Sequence, residues 1–258
     1  MTCRWVAREF SPGPTRKPKI VPAMSTVVVS TASARRAEPL IGVLALQGDV
    51  QPHLAALEAV GARATLLRRP TELDQLNGVV IPGGESTTIS RLAQTFGLFD
   101  PLAERIASGL PVFGSCAGTI LLATRILDGR DDQRCLGGID MTVRRNAFGR
   151  QADSFETRLH VAGITDISGV ANADVSSADG LNERPTDRPA GEKLRAIFIR
   201  APWIEDHGAG VQALAHYDGK IVAARQGDAL ATAFHPELSG DYRVHKYFVN
   251  IVAASLCM

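Results

Sequence analysis

Little in this sequence marks a membrane, an extracellular or a nucleic-acid-bound protein. No apolar run nears the roughly eighteen residues of a membrane span, and the start lacks the unbroken hydrophobic stretch of a secretory signal. The four cysteines, Cys3, Cys116, Cys135 and Cys257, form no CxxC pair and no zinc-like spacing with histidine. They read as reduced thiols of a cytoplasmic protein. Lysine and arginine (28) all but cancel aspartate and glutamate (27), a net charge of +1 that offers no electrostatic case for nucleic acid or an anionic membrane. What remains, 258 residues with 45% hydrophobic content, suits one substantial α/β domain.

Residues 1–39 carry seven arginines and lysines against Glu9 and Glu38, without sustained periodicity, and read as a disordered basic leader. A transit peptide and a stretch upstream of a start at Met24 both fit it. The domain is expected over 40–258. Leu40 to Leu46 suits a central parallel strand, and Pro52, His53, Leu54, Leu57 and Val60 mark the helix that Gly61 stops. Ala64–Leu67 and Gly78–Ile81 continue the strands, and a helix over Pro101–Ala107 leads to another from Leu110. This βαβαβ alternation predicts a three-layer, flavodoxin-like fold, a mostly parallel central sheet flanked by helices.

Ile139–Val143 and Arg158–Val161 are expected as an antiparallel pair flanking the loop from Arg145 to Arg150. Residues 166–193, polar and almost free of large apolar side chains, read as a disordered insertion. Ala196–Ile199 is expected to resume the sheet, and Val211–Tyr217 and Ile221–Ala224 flank the hairpin signal Asp218-Gly219. Ala229–Phe234 is the last strand, before a closing helix over Tyr242–Leu256.

The chemistry centres on Gly114-Ser115-Cys116-Ala117-Gly118, a nucleophile elbow with cysteine in the serine position. The positive end of the following helix would favour a thiolate there. Alone, the turn fits a buried structural thiol equally well. A nucleophile needs a base and the base an orienting acceptor. His235 stands at a strand end with Glu237 two residues on, whereas His53 lies in a helix stripe, His160 and His216 in strand-like runs, and His207 and His245 in polar surroundings. Pro82-Gly83-Gly84 is the third element, since backbone N–H groups of Gly84 and Ala117 could face a developing oxyanion.

Cys116 in its elbow, Pro82-Gly83-Gly84-Glu85-Ser86 and Phe234-His235-Pro236-Glu237, in this order, resemble the class I (triad) glutamine amidotransferases. Leu46-Gln47-Gly48, the continuation Thr87-Thr88, Arg145 to Gln151 with Asp153-Ser154-Phe155, and Phe198-Ile199-Arg200-Ala201-Pro202 narrow the likeness. They are similar to the glutaminase subunits of ribose 5-phosphate-dependent pyridoxal 5'-phosphate synthase, over about residues 40–256 apart from the insertion. The resemblance implies L-glutamine hydrolysis through a Cys116 thioester, with His235 as base and acid, Glu237 orienting it, and Gly84 and Ala117 as oxyanion hole. Gly84, Glu85, Ser86, Arg145, Ile199 and Arg200 would hold the glutamine, Glu85 suiting its ammonium and Arg145 its carboxylate.

Ammonia would pass to a separate barrel-shaped synthase subunit, so pyridoxal phosphate is a product and neither cofactor nor metal is expected. The likeness also implies latency until the synthase docks near Gln47-Gly48-Asp49 and reorients the Gly83-Gly84 peptide. Gln51-Pro52 precede His53 where the family pattern has an acidic residue. The glutaminase of imidazole glycerol phosphate synthesis is the nearest alternative, but would show Gln near Ile120. Elbow-cysteine stress proteins and peptidases would show His where Ala117 stands. A non-catalytic scaffold would make the triad accidental.

Overall fold

Near-continuous apolar runs build the parallel half of the sheet, and all but its edge strand are buried on both faces. The computed structural model describes residues 38–130, 132–148, 154–166 and 191–257. Strands β1 (Leu40–Leu44), β2 (Arg63–Leu67), β3 (Gly78–Ile81), β4 (Val112–Ser115) and β12 (Ala229–Thr232) pair in parallel in the order β2-β1-β3-β4-β12. Along them successive side chains point to opposite faces. Ile41, Val43, Val80 and Phe113 pack on one side with Leu57 of α1 (Val50–Ala59) and Phe248 and Val252 of α5 (Arg243–Ser255). Leu44, Val79, Ile81 and Val112 pack on the other against Ile89 of α2 (Ser86–Thr95), Leu102 of α3 (Phe99–Ala107) and Leu121 of α4 (Ala117–Leu122). The expected three-layer α/β fold is thus present, with the chain reversing direction between β1 and β3, where such sheets bind ligands at their carboxyl ends.

Beyond β12 the sheet turns largely antiparallel. β11 (Lys220–Gln226) pairs with β12 and, across the Asp218-Gly219 turn, with β10 (Gln212–Tyr217). Both turn residues have positive φ, 48° and 70°, as a two-residue hairpin of type I′ requires. The sheet then continues through β9 (Trp203–His207) and β6 (Ile139–Arg144) to β5 (Ala123–Leu127).

Two sequence expectations are corrected here. Ile139–Val143 and the Arg158–Val161 region do not pair: β6 lies parallel to β5 and antiparallel to β9. The second region forms β7 (Phe155–Leu159), paired with β8 (Leu194–Phe198) in a separate two-stranded sheet, so Ala196–Ile199 does not resume the main one. Aromatic packing joins this small sheet, with Phe155 stacked on Phe198 at 4.7 Å and on Tyr217 at 4.9 Å. The expected elbow helix is present, six residues long, and runs straight into β5, which, like α2, no sequence pattern marks. No helix among the described residues is long and apolar enough to cross a membrane. The expected leader, apart from Glu38 and Pro39, and residues 167–190 of the expected insertion lie outside the described residues, as do Gly149 to Asp153.

Candidate active site

The carboxyl ends of β1, β3, β4 and β12 deliver Gln47, Gly84, Cys116 and His235 to one cleft of about 200 Å³. Cys116 sits where β4 becomes α4, with φ 47° and ψ −98°, a conformation costing a non-glycine residue about 1–3 kcal/mol and found where the surroundings fix it. Those surroundings are tight. A Cβ at Gly118 would run into the Ile81 carbonyl, and one at Gly114 would lie 2.5 Å from the Gly118 carbonyl carbon. Both flanking glycines are therefore needed because β3, β4 and α4 touch backbone to backbone, beyond their freedom to turn. Thr119 ties the elbow down, its hydroxyl donating to the carbonyl of Thr232 at 2.6 Å or of Gly114 at 3.1 Å.

His235 leaves β12 to face Cys116 across the cleft, close enough for the two groups to interact. Its Nδ1 donates to Glu237 Oε1 at 2.7 Å, and both residues are buried. Pro236 starts a one-turn helix over Pro236–Leu238 that places the carboxylate behind the ring. Burial of His235 works against its charged form, but contacts with Cys116 and Glu237 outweigh burial and raise its pKa to about 10. Asp49 and Glu237 together place ligand-type oxygens near Nδ1 of His235, which is taken up by Glu237.

Every glutamine-site residue proposed from sequence lines the cleft: Gly84, Glu85, Ser86, Arg145, Ile199 and Arg200, with Cys116, Ala117 and His235. Glu85 and Arg145 also meet each other, Nη2 to Oε1 at 2.7 Å. Arg145 donates further to Thr87 Oγ1 and Gln133 Oε1 at 3.1 and 2.9 Å, which fixes the guanidinium in the wall. Ser86 Oγ is buried without a hydrogen-bond partner. Arg200 has φ 46°, and the Ile199 carbonyl lies 3.8 Å from Cys116 Sγ.

Residues 43–254 match the model of the SNO glutamine amidotransferase family. A pyridoxal 5'-phosphate synthase subunit PdxT from Mycobacteroides abscessus is 56% identical over 216 residues, covering 84% of this chain and 98% of the relative. Its counterpart from Streptomyces coelicolor is 52% identical over 217 residues, 84% of this chain and 95% of the relative. The chain belongs to the SNO glutamine amidotransferase family. A solved glutamine amidotransferase, 39% identical, superposes with a TM-score of 0.68 over 82% of this chain and 98% of its own. A chain of the PurLQS structure from Thermotoga maritima, 16% identical with a TM-score of 0.55 over 86% of this chain and 100% of its own, shares the fold alone.

Several contacts around this amidotransferase cleft are not legible in any sequence motif. Gln47 Oε1 accepts the Glu85 N–H at 2.8 Å, and the Asp49 N–H donates to the Gly83 carbonyl at 3.1 Å, so the turn after β1 grips the glycine loop. Because that peptide is trans, the Gly84 N–H points away from Asp49. Thr87 belongs to the glycine-loop motif and Gln133 to none; only the fold brings both to Arg145, which they pin. His245 is also corrected: it is fully buried against His53, Phe113 and Tyr242 rather than in polar surroundings.

Proposed function

We propose that this chain is the glutaminase subunit of a pyridoxal 5'-phosphate synthase, hydrolysing L-glutamine to L-glutamate and ammonia for a barrel-shaped synthase partner. The alignment of Cys116, His235 and Glu237 at the head of the parallel sheet carries the reading. His235 presents Nε2 to the thiol because Nδ1 is bonded to Glu237. Cys116 Sγ adds to the side-chain amide carbon, and the oxyanion meets the backbone N–H groups of Gly84 and Ala117. His235 delivers the thiol's proton to the amide nitrogen, the C–N bond breaks, and ammonia leaves a thioester. Water, deprotonated by His235, then adds to the thioester, and collapse returns the thiol and glutamate.

Glu85 and Ser86 fit the amino-acid end of the substrate and Arg145 its carboxylate, with Ile199 and Arg200 closing the cleft. The peptide expected to reorient when the synthase docks is held by the single Asp49 N–H bond to Gly83. A thiol nucleophile, and free Cys135 and Cys257, suit a cytoplasmic site of action. Pyridoxal phosphate is product here, not cofactor.

The test mixes the purified chain with its synthase partner. Glutamate release is expected to rise on mixing and to be abolished by Cys116→Ala, while added ammonia still supports pyridoxal phosphate formation by the mutant complex. Persistent glutaminase activity in Cys116→Ala, or no rise on adding the synthase, would overturn the reading.

A further inference from the structure

Behind the triad lies a second layer of buried polar groups that the hydrolysis scheme leaves unused. Glu237 holds His235 through Oε1, while its other oxygen, Oε2, is buried without a hydrogen-bond partner. That oxygen lies 3.4 Å from Nε2 of His53, whose side chain is 0% exposed. The same Nε2 is 3.0 Å from Oγ of Ser115, the residue before the nucleophile. On its far side, His53 Nδ1 is 2.9 Å from Nε2 of His245, itself 0% exposed, and His245 Nδ1 has no partner.

Two imidazoles in a core beside Phe113 are costly for packing alone, since apolar side chains would fill the space without desolvation. Burial, reinforced by His245 and His235, holds the His53 pKa well below its usual range, and burial takes His245 to about 3. Both rings are therefore neutral, and one proton lies between them. If His245 donates it from Nε2, the partnerless His245 Nδ1 is only a lone pair, and His53 carries its own proton on Nε2, towards Ser115 and Glu237. The opposite assignment strands a buried N–H on His245 and turns a lone pair of His53 towards a carboxylate oxygen. Both changes are unfavourable, so the network selects the first tautomers.

We propose that His53 is a positioning residue of the catalytic site: oriented by His245, its Nε2–H faces Ser115 Oγ and Glu237 Oε2, and fixes the carboxylate that aligns His235. This rests on the reading of Cys116, His235 and Glu237 as a glutaminase triad. His53 touches no substrate and acts only through Glu237 and the elbow residue Ser115.

The test compares His53→Leu with His53→Gln, whose amide nitrogen can replace the Nε2 donor, in the complex with the synthase. His53→Leu is expected to lower kcat about tenfold to hundredfold, the loss of a close polar contact with a buried charge, with KM for glutamine within about twofold. His53→Gln should retain kcat within about threefold. Iodoacetamide alkylation of Cys116, followed by mass spectrometry, should slow in His53→Leu and recover in His53→Gln. Circular dichroism checks folding, and His53→Met supplies the apolar comparison if leucine does not pack. Unchanged kcat and alkylation in the apolar variant, or equal losses in His53→Gln, would overturn the proposal. A wild-type complex that released no glutamate would refute the function, leaving alkylation, which needs no glutamine, to decide the role of His53.

Discussion

Acidification should destabilise this protein well before its carboxylates protonate, because of the buried histidine pair. His245 is neutral when folded, with a pKa of about 3 caused by burial. Unfolded, it binds a proton near pH 6.5. The unfolded chain is then the better proton acceptor below pH 6.5, so this contribution to stability is complete above that pH and is lost as pH falls towards 3. Between pH 7 and pH 5 the loss from His245 alone is about 2 kcal/mol, and His53, also lowered by burial, adds to it with the same sign. His235 acts oppositely. Contacts with Cys116 and Glu237 overcome its burial and raise it to about 10, so its contribution is full below pH 6.5 and fades as pH rises through 10. Urea unfolding at half-unit pH steps, for wild type and His245→Leu, compares proteins that differ in the His245 share, with what His245 adds to the lowering of His53, and have that of His235 in common. The wild-type stability should fall by about 2 kcal/mol relative to that of His245→Leu from pH 7 to pH 5. Parallel curves would refute the assignment of a neutral, proton-inaccessible His245.

Two further outcomes follow from the cleft and the elbow. Arg145→Ala should raise KM for glutamine about tenfold to hundredfold, the worth of a charge-assisted hydrogen bond, with a smaller change in kcat; an unchanged KM in steady-state assays would remove Arg145 from the substrate site. Gly118→Ala should cost at least about 1–3 kcal/mol by overpacking, because its Cβ would meet the Ile81 carbonyl; a wild-type midpoint in thermal unfolding would show that α4 can shift without cost.

Local pattern determined much of this molecule from sequence. Gly78–Ile81 matched its strand, helices α1, α3 and α5 fell within a few residues of their places, and Asp218-Gly219 marked its hairpin. Those features depend on neighbours in the chain: apolar runs, a helix stripe, residues that tolerate positive φ. The short motifs around Cys116, Gly84 and His235 were legible for the same reason, since each spans one strand end and its turn.

Sequence reading failed where the deciding partner was distant. β7 chose β8 because Phe155, Phe198 and Tyr217 stack, an association without local periodicity. Arg145 was readable as a carboxylate ligand, but its fixation by Thr87 and Gln133 needs three separate segments in register. His53 looked like one position of a helix stripe and His245 like a polar site. Burial on the sheet face beside Phe113, although they are 192 positions apart in sequence, made them a pair and set His53 beside Glu237. The sequence by itself thus specified the reacting groups and the strands that carry them. Only the tertiary structure decided what stands behind those groups, because hydrogen bonding and desolvation depend on which atoms meet in space, whatever their separation along the chain.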